Sequence, residues 1–273
     1  SELEEALASV RIPAYPATVA EVMREAQKDE PQVKVLARII SSDVGMSALA
    51  VKLANSPMFG NGNPVKSVQQ AVSRLGTKNI LNVVIAVALR NTTTGLPADL
   101  MERFWARTST LALATGVLAR RHIGISPDAA YTYALFHDAA IPVLMLNFPK
   151  YAEICGEALH DPESLIPIER EHFNCDHAVV GWLLARSWGL PPLIASAIRY
   201  HHDPEVYILP EKELPSDALA LIAVTVITEH AIADLTGTAA PVDNKAFEDA
   251  KMFLGSSDAD IDEFREIIAA ALA

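Results

Sequence analysis

The most informative segment of the sequence is Tyr131-Thr-Tyr-Ala-Leu-Phe-His-Asp-Ala-Ala-Ile-Pro-Val-Leu-Met145. It is almost wholly apolar, yet a histidine and an aspartate stand side by side in its middle, at positions 137 and 138. Burying such a pair costs several kcal/mol unless it is paired, hydrogen-bonded or bound to a metal. The stretch therefore predicts a buried helix that holds a polar site. Pro142 predicts a kink or break shortly after the pair.

Outside this stretch, nearly every segment repeats its apolar residues with the period of an α-helix. Turn-forming clusters separate the predicted helices, and 92–97, Thr-Thr-Thr-Gly-Leu-Pro, is the best candidate for a boundary between subdomains. No segment combines strand alternation with hairpin turns. The sequence therefore predicts an all-α protein with two helical subdomains that meet near residue 95.

Local signals place the ends of several predicted helices. Four residues have the side chains and positions of N-caps, namely Asp43, Ser67, Ser126 and Asp176. Gly76 is expected to close a helix, because glycine tolerates the left-handed backbone found there. A short helix is predicted over 167–173, with the proline at position 167 as its start, and two amphipathic helices are predicted near 244–254 and 258–272.

Composition narrows the class of function. The net charge is −12 and no basic cluster is present, so the electrostatic attraction to nucleic acids and to anionic membranes is missing. The longest uninterrupted apolar runs, such as 83–89, are shorter than the roughly 18 residues of a membrane span. Cys155 and Cys175 lack a Cys-x-x-Cys spacing, which is typical of a reducing compartment. We therefore predict a cytoplasmic protein that binds neither membranes nor nucleic acids.

Four histidines are the candidates for chemistry beside Asp138: His137, His177, His201 and His202. Imidazoles and carboxylates suit iron, manganese or zinc, provided that at least three of them converge. Because these residues lie on three separate predicted helices, spacing cannot decide whether they converge. Two interpretations stay open: a metal site with His137, Asp138, His177 and His201 as ligands, or side chains hydrogen-bonded inside the core without a metal.

The order of motifs along the chain resembles the HDOD family, catalytically unorthodox relatives of the HD-domain metal-dependent phosphohydrolases. Each motif is weak alone, but the ordered set is specific. The motifs are Ile12-Pro-Ala-Tyr-Pro-Ala-Thr-Val19, Ile39-Ile-Ser-Ser-Asp43, Leu53-Ala-Asn-Ser-Pro-Met-Phe59, Val68-Gln-Gln-Ala-Val-Ser-Arg-Leu-Gly76, Phe104-Trp105, Ala134-Leu-Phe-His-Asp138, Asp176-His-Ala-Val-Val-Gly181, Trp188-Gly-Leu-Pro191 and Ala197-Ile-Arg-Tyr-His-His202.

The resemblance implies an HD-domain-like multi-helix bundle. It places an HDOD domain at 12–204, with an N-terminal helical subdomain at about 12–95 and an HD-like subdomain at about 96–204. The C-terminal helices of 205–273 are then expected to pack on the HD-like subdomain. Because the chain begins Ser1-Glu2 and not with methionine, flanking domains in a longer protein are compatible with this layout.

The resemblance also implies a site. The metal centre of HD domains draws on a first histidine, a His-Asp doublet, later histidines and a distal aspartate. The doublet corresponds to His137 and Asp138, and the later histidines to His177 and to His201 or His202. The chain departs from this pattern in two places, so the pocket is predicted to be degenerate.

The first departure is Arg107, which stands where the first histidine is expected. A guanidinium offers no lone pair to a metal and stays charged at any accessible pH. We therefore predict that Arg107 pairs with Asp138 and replaces the charge of a metal.

The second departure concerns the distal aspartate. The predicted helix of 216–235 offers Thr225, Thr228 and Glu229 at the nearest positions, and Asp234 lies about one turn too late. The Gly-Tyr-Pro signature of the related HD-GYP phosphodiesterases is also absent after His202, where the chain continues Asp203-Pro-Glu-Val-Tyr207.

These observations predict a non-catalytic signal-transduction module that binds a protein partner, with no cofactor, as a monomer or weak homodimer. The alternative is a phosphohydrolase of nucleotides or cyclic dinucleotides that uses iron, manganese or zinc. A second alternative is a DNA-binding regulator, in which 33–41 and 44–55 mimic a helix-turn-helix. Lys52 is the one basic residue in its recognition helix, which argues against this last function.

Overall fold

The computed structural model describes residues 1–14, 16–122, 124–238 and 244–273, with Glu2 described by its backbone alone. Tyr15, which belongs to the first of the family motifs, lies outside the described residues. Over the described ranges the protein consists of fifteen α-helices and two short 3-10 helices, without a β-strand. The prediction of an all-α fold is therefore confirmed.

The α-helices follow one another along the whole chain. They are α1 (Glu2–Ser9), α2 (Ala17–Ala26), α3 (Val33–Ser41), α4 (Val44–Ala54), α5 (Val68–Thr92), α6 (Ala98–Ala119), α7 (Pro127–Phe136), α8 (Ala140–Asn147), α9 (Tyr151–Cys155), α10 (Pro162–Phe173), α11 (His177–Ser187), α12 (Pro192–Tyr200), α13 (Ser216–Thr236), α14 (Lys245–Leu254) and α15 (Asp258–Leu272). The 3-10 helices are Gly156–His160 and Val206–Ile208.

The chain divides into two compact units. The smaller unit, Ala14–Thr94, contains α2 to α5. The larger unit combines Ser1–Pro13 with Gly95–Ala273, so that α1 belongs to the same unit as α6 to α15.

In the smaller unit, α2, α3 and α4 pack against α5. The side chains of Asp43 and Ser67 accept hydrogen bonds from backbone amides in the first turns of α4 and α5, as the sequence predicts. Gly76 interrupts α5 with φ 76° and ψ 171°, a backbone conformation that side chains with a Cβ rarely adopt. Beyond it, most residues of 80–89 are buried, which explains why that segment is apolar on nearly every face.

In the larger unit, α6 packs on α7, α13 and α15, while α11 packs on α12 and α8. Two hydrogen bonds attach residues 11–13, which directly precede the smaller unit, to other parts of the larger unit. The amide of Arg11 donates to Asn147 Oδ1 at 2.7 Å, and Trp188 Nε1 donates to the carbonyl of Pro13 at 3.0 Å. Trp188 is 1% exposed, so this indole is a core residue that also satisfies its polar group.

Two prolines act differently from the sequence-based expectation. The predicted break exists, but it falls before Pro142, at residues 137–139. Pro142 itself lies in the first turn of α8. Backbone N–H groups in a first turn have no intrahelical acceptor, so a proline there costs the helix no hydrogen bond. Pro167 does not begin a helix: α10 starts five residues earlier, at Pro162, and runs through Pro167. Leu165 and Ile166 are buried beside it, and their packing stabilises the helix despite one lost hydrogen bond.

Three stretches meet the length and composition of a membrane span, namely Val68–Thr92, Pro127–Asn147 and Ser216–Thr236. The length of unbroken apolar runs therefore does not identify the segments of this chain that are apolar enough to span a membrane. These stretches carry few charges, although polar residues interrupt them. Of the most apolar window in each, 67%, 89% and 56% respectively is buried inside the protein. Packing uses much of this apolar surface, and the absence of a membrane partner stays a prediction.

Candidate functional site

The predicted site residues lie at helix ends in the larger unit. His137 and Asp138 occupy the turn between α7 and α8, directly after Phe136. His177 is the first residue of α11, and His201 and His202 directly follow α12. Local sequence fixes these ends. Ser126 and Pro127 begin α7, and Asp176 accepts a hydrogen bond at 2.9 Å from the amide of Val179 at the start of α11.

The carboxylate of Asp138 is the centre of the site. Its Oδ2 lies 3.2 Å from His137 Nε2, and its Oδ1 lies 3.4 Å from His177 Nε2 and 3.3 Å from His201 Nε2. The four side chains are between 0% and 7% exposed. The His202 ring lies close by, with its centroid 3.9 Å from that of His201 and 4.9 Å from that of His177. The fold therefore brings together all the predicted histidines around Asp138.

The other ring nitrogens of these histidines are held by acceptors, which fixes the direction of each Nε2 atom. His137 Nδ1 donates to the carbonyl of Ala134 at 2.7 Å, and His201 Nδ1 donates to the carbonyl of Ile198. His177 Nδ1 donates to Glu169 Oε1 at 2.6 Å. Because each Nδ1 carries its proton, each Nε2 is free to hold a second proton or to offer a lone pair to a cation.

Glu169 is a member of the site that the sequence analysis does not identify. It is fully buried, and its Oε1 accepts hydrogen bonds from both the backbone amide and Nδ1 of His177, at 3.1 and 2.6 Å. Its Oε2 accepts a hydrogen bond from the Tyr151 hydroxyl at 2.6 Å. The one available signal is helical spacing: Leu165 and Ile166 are buried and lie four and three residues earlier, so Glu169 shares the apolar face of α10.

The helix expected to supply the distal carboxylate does so through Glu229. Its Oε1 lies 3.2 Å from His137 Nε2, and its side chain is 34% exposed, so it forms the open edge of the site. The other positions considered do not join it. Thr225 and Thr228 are buried and donate to carbonyls of their own helix, and Asp234 pairs with Arg265 at 2.7 Å.

Arg107 does not pair with Asp138, and that prediction is wrong. Arg107 lies on the exposed face of α6, whereas Asp138 is 5% exposed and its ion-pair partners among the described residues are His137, His177 and His201. Hydration stabilises the charged guanidinium, and its burial in the core would cost free energy. The carboxylate of Asp138, in turn, is already surrounded by histidines.

The charges of the site compensate one another inside the core. Burial by itself lowers the pKa of His137 and of His177, but the carboxylates beside them outweigh burial and raise each to about 10. Burial by itself raises the pKa of Asp138, yet His137 and the contacts with His177 and His201 hold it well below its usual range. Burial lowers the pKa of His201, so that imidazole is neutral. Two imidazolium ions thus stabilise the buried carboxylates.

The same donor set also fits a divalent metal ion. One ligand atom each from Asp138, His177, His201 and His202 lie within 4.8 Å of one another, and a second such group consists of His137, Asp138 and Glu229. Within the described residues, Nε2 of His177 and Nε2 of His202 are buried without a hydrogen-bond partner. Orphaned imidazole nitrogens beside a carboxylate are suitable ligands for iron, manganese or zinc.

The two cysteines take no part in a disulfide. Cys155 and Cys175 are both free and buried in the described structure. Burial raises the pKa of the Cys155 thiol to about 11 and that of Cys175 to about 12, so both are protonated core residues near Glu169.

A curated relative, an uncharacterised protein of Treponema pallidum (strain Nichols), is 27% identical over 209 residues, which are 72% of this chain and 39% of the relative. The chain thus spans about two fifths of that relative's length.

Two solved structures share the fold. A Shewanella amazonensis SB2B protein that carries the provisional name phosphohydrolase has a TM-score of 0.71 and 23% identity over 99% of this chain and 94% of its own. A Marinobacter aquaeolei VT8 protein that carries the provisional name signal transduction protein has a TM-score of 0.67 and 20% identity over 99% of this chain and 62% of its own. Identities this low establish the fold alone.

The fold and the site together define an all-α protein with a buried histidine–carboxylate centre. The family model of the HDOD domain matches residues 12–204, which are most of the chain. The chain belongs to the HDOD domain family, as its ordered motifs predict.

Proposed function

We propose that this protein is a non-catalytic signal-transduction module that acts by binding a partner protein. The observation that carries the proposal is the closure of the His–Asp centre. The side chains of His137, Asp138, His177 and His201 are between 0% and 7% exposed. A phosphate ester must touch the groups that activate its attacking water, and these four side chains leave little surface for such a contact, the open edge of the site being formed by Glu229.

The balance of charges supports the same function. His137 and His177, with raised pKa values, compensate Asp138 and Glu169 inside the core. A buried network of paired charges and hydrogen bonds stabilises one arrangement of the helices around it. The exposed Arg107 also leaves the first ligand of an HD-type metal centre unfilled. The name of the Marinobacter aquaeolei relative points in the same direction.

A metal-dependent phosphohydrolase is the second candidate, and one observation favours it. The ligand atoms of Asp138, His177, His201 and His202 converge within 4.8 Å. These residues would hold a divalent cation, which acidifies bound water and polarises phosphoryl oxygens in enzymes of this kind. In that state Glu169 would orient His177 through its Nδ1 atom, as carboxylates do beside many metal-bound histidines.

Metal content and hydrolysis separate the two functions. Protein purified without chelator is assayed for iron, manganese and zinc, and for hydrolysis of bis-p-nitrophenyl phosphate and of cyclic dinucleotides. The variants are His201→Ala in the centre and His160→Ala as a matched control, because His160 is exposed on a 3-10 helix.

The regulatory function predicts no hydrolysis with any of the three metals added. Stoichiometric metal together with hydrolysis, both lost in His201→Ala and both kept in His160→Ala, would establish the enzyme and contradict the proposal. Metal without hydrolysis would make the ion a structural part of a non-catalytic module.

A further inference from the structure

An exposed apolar patch lies where two segments of the C-terminal region meet in the larger unit. It consists of Tyr207, Ile208, Met252 and Phe253, and all four residues lie outside the part of the chain matched by the family model. Ile208 is 76% exposed and Met252 is 80% exposed. Single exposed apolar residues are common on protein surfaces, but neighbouring ones that form a patch mark sites of interaction.

The patch is preformed by contacts between its two segments. The rings of Tyr207 and Phe253 lie 5.3 Å apart with an interplanar angle of 32°, which joins the 3-10 helix Val206–Ile208 to α14. Lys245 Nζ donates to the carbonyl of Pro204 at 2.8 Å and makes a second connection between the same segments. The exposed Ile208 and Met252 are each adjacent in sequence to one of the joined rings. A partner therefore meets a surface whose two aromatic rings are already held together.

The chain around the patch is acidic. The segment 203–213 contains the carboxylates Asp203, Glu205, Glu211 and Glu213, against the single basic residue Lys212. Three of these carboxylates, on Glu205, Glu211 and Glu213, are exposed.

The lysines of α14 do not offset this charge. Lys245 pairs with Asp249 at 2.6 Å, and Lys251 pairs with Asp258 at 2.6 Å and with Glu248 at 3.7 Å. The exposed carboxylates of Glu205, Glu211 and Glu213, which we name the acidic rim, thus give the segment next to the patch an excess of negative charge.

We propose that this patch docks a basic amphipathic segment of a partner protein. The proposal rests on the proposed function, because it names the surface through which the module would bind. Apolar residues on one face of such a segment cover Ile208 and Met252, and its lysines or arginines face the acidic rim. A second copy of this chain is the less suitable occupant, because it brings the same acidic rim and a net charge of −12. Anionic lipids are repelled for the same reason.

The test uses the whole chain and a dye-labelled synthetic peptide of leucine and lysine with helical spacing, followed by fluorescence anisotropy. An isomer of identical composition, with leucine and lysine not segregated to faces, controls for charge alone. The variants are Ile208→Gln combined with Met252→Gln, which remove apolar surface without adding charge. Val44→Gln is the matched control, because Val44 is 86% exposed and belongs to the smaller unit.

The patch predicts that the segregated peptide binds more tightly than its isomer and that the double variant weakens binding about tenfold or more. Val44→Gln is expected to leave binding within about twofold of the unmodified chain, because Val44 is not one of the residues of the patch. Glu211→Gln combined with Glu213→Gln is expected to reduce the dependence of binding on salt. Unchanged tryptophan fluorescence verifies that the variants keep their fold.

Equal binding of the two peptides, equal binding by the double variant, or no binding would each overturn the proposal. Sedimentation that shows a dimer, dissociated by Met252→Gln, would overturn it too, because a second copy would then occupy the patch. Each of these results leaves the metal and hydrolysis assays unaffected. Failure of the docking site is therefore distinguishable from failure of the proposed function.

Discussion

Replacement of Glu169 is the sharpest test of the idea that buried charges hold the centre together. Glu169 is fully buried and accepts three hydrogen bonds: one from Tyr151, and two from the backbone and the ring of His177. Glu169→Ala leaves all three donors without their acceptor, and the imidazolium of His177 keeps only the longer contact with Asp138, at 3.4 Å. Removing one member of a buried ion pair costs about 3–5 kcal/mol, a large part of the roughly 5–15 kcal/mol that stabilises a domain.

Glu169→Gln separates the charge from the hydrogen bonds. The amide oxygen can still accept from His177, and the amide nitrogen can donate to the Tyr151 hydroxyl, so the geometry is retained while the charge is lost. We expect a smaller loss of about 1–3 kcal/mol, the cost of one imperfectly paired buried group. Glu263→Gln is the matched control, because Glu263 is exposed on α15, and it is expected to stay within about 0.5 kcal/mol.

The loss should depend on pH in a defined direction. The folded-state pKa of His177 is raised to about 10 from 6.5. The stability that its proton contributes is fully present below pH 6.5 and is lost as the pH rises through about 10. The difference between the unmodified chain and Glu169→Gln should therefore be largest near pH 6.5 and shrink towards pH 10.

The assay is urea unfolding followed by tryptophan fluorescence at a series of pH values. All three tryptophans, Trp105, Trp182 and Trp188, belong to the larger unit, so the signal reports on the unit that contains the centre. A Glu169→Gln variant as stable as the unmodified chain at pH 6.5, or a difference that does not change with pH, would refute the reasoning.

Three further predictions use the same unfolding assay. The unmodified chain should lose stability between about pH 6.5 and 10, because His137 and His177 both have raised pKa values in the folded state; a flat profile would contradict this assignment. Arg107→Ala should change the free energy of unfolding by less than about 0.5 kcal/mol, since its side chain is exposed, and a loss above about 2 kcal/mol would indicate a buried pairing after all. Gly181→Ala should destabilise by about 1–3 kcal/mol despite the better helix propensity of alanine, because the new Cβ would lie 2.8 Å from Cγ2 of the fully buried Ile198; a gain in stability would show that α11 and α12 can move apart.

Local elements were predictable because their causes are local. The N-caps at Asp43, Ser67, Ser126 and Asp176 each accept a hydrogen bond from the amide three residues further on, so the order of residues is enough to identify them. Pro167 shows the limit of such signals. Proline disfavours a helix interior, yet burial of neighbouring apolar residues outweighs one lost hydrogen bond, and burial depends on the rest of the fold.

The same distinction between local and long-range causes applies to the candidate site. Helical periodicity, the apolar stretch around 131–145 and the ordered motifs are properties of the sequence, and they are sufficient for the all-α fold, the family and the polar residues of the centre. Which residues meet in the centre depends on the packing of α7, α10, α11, α12 and α13. This packing joins positions up to 92 residues apart, as in His137 and Glu229. The same packing leaves Arg107 exposed and brings Glu169 beside His177. The sequence does not show these positions, because the cost of burying a charge depends on partners that distant segments supply.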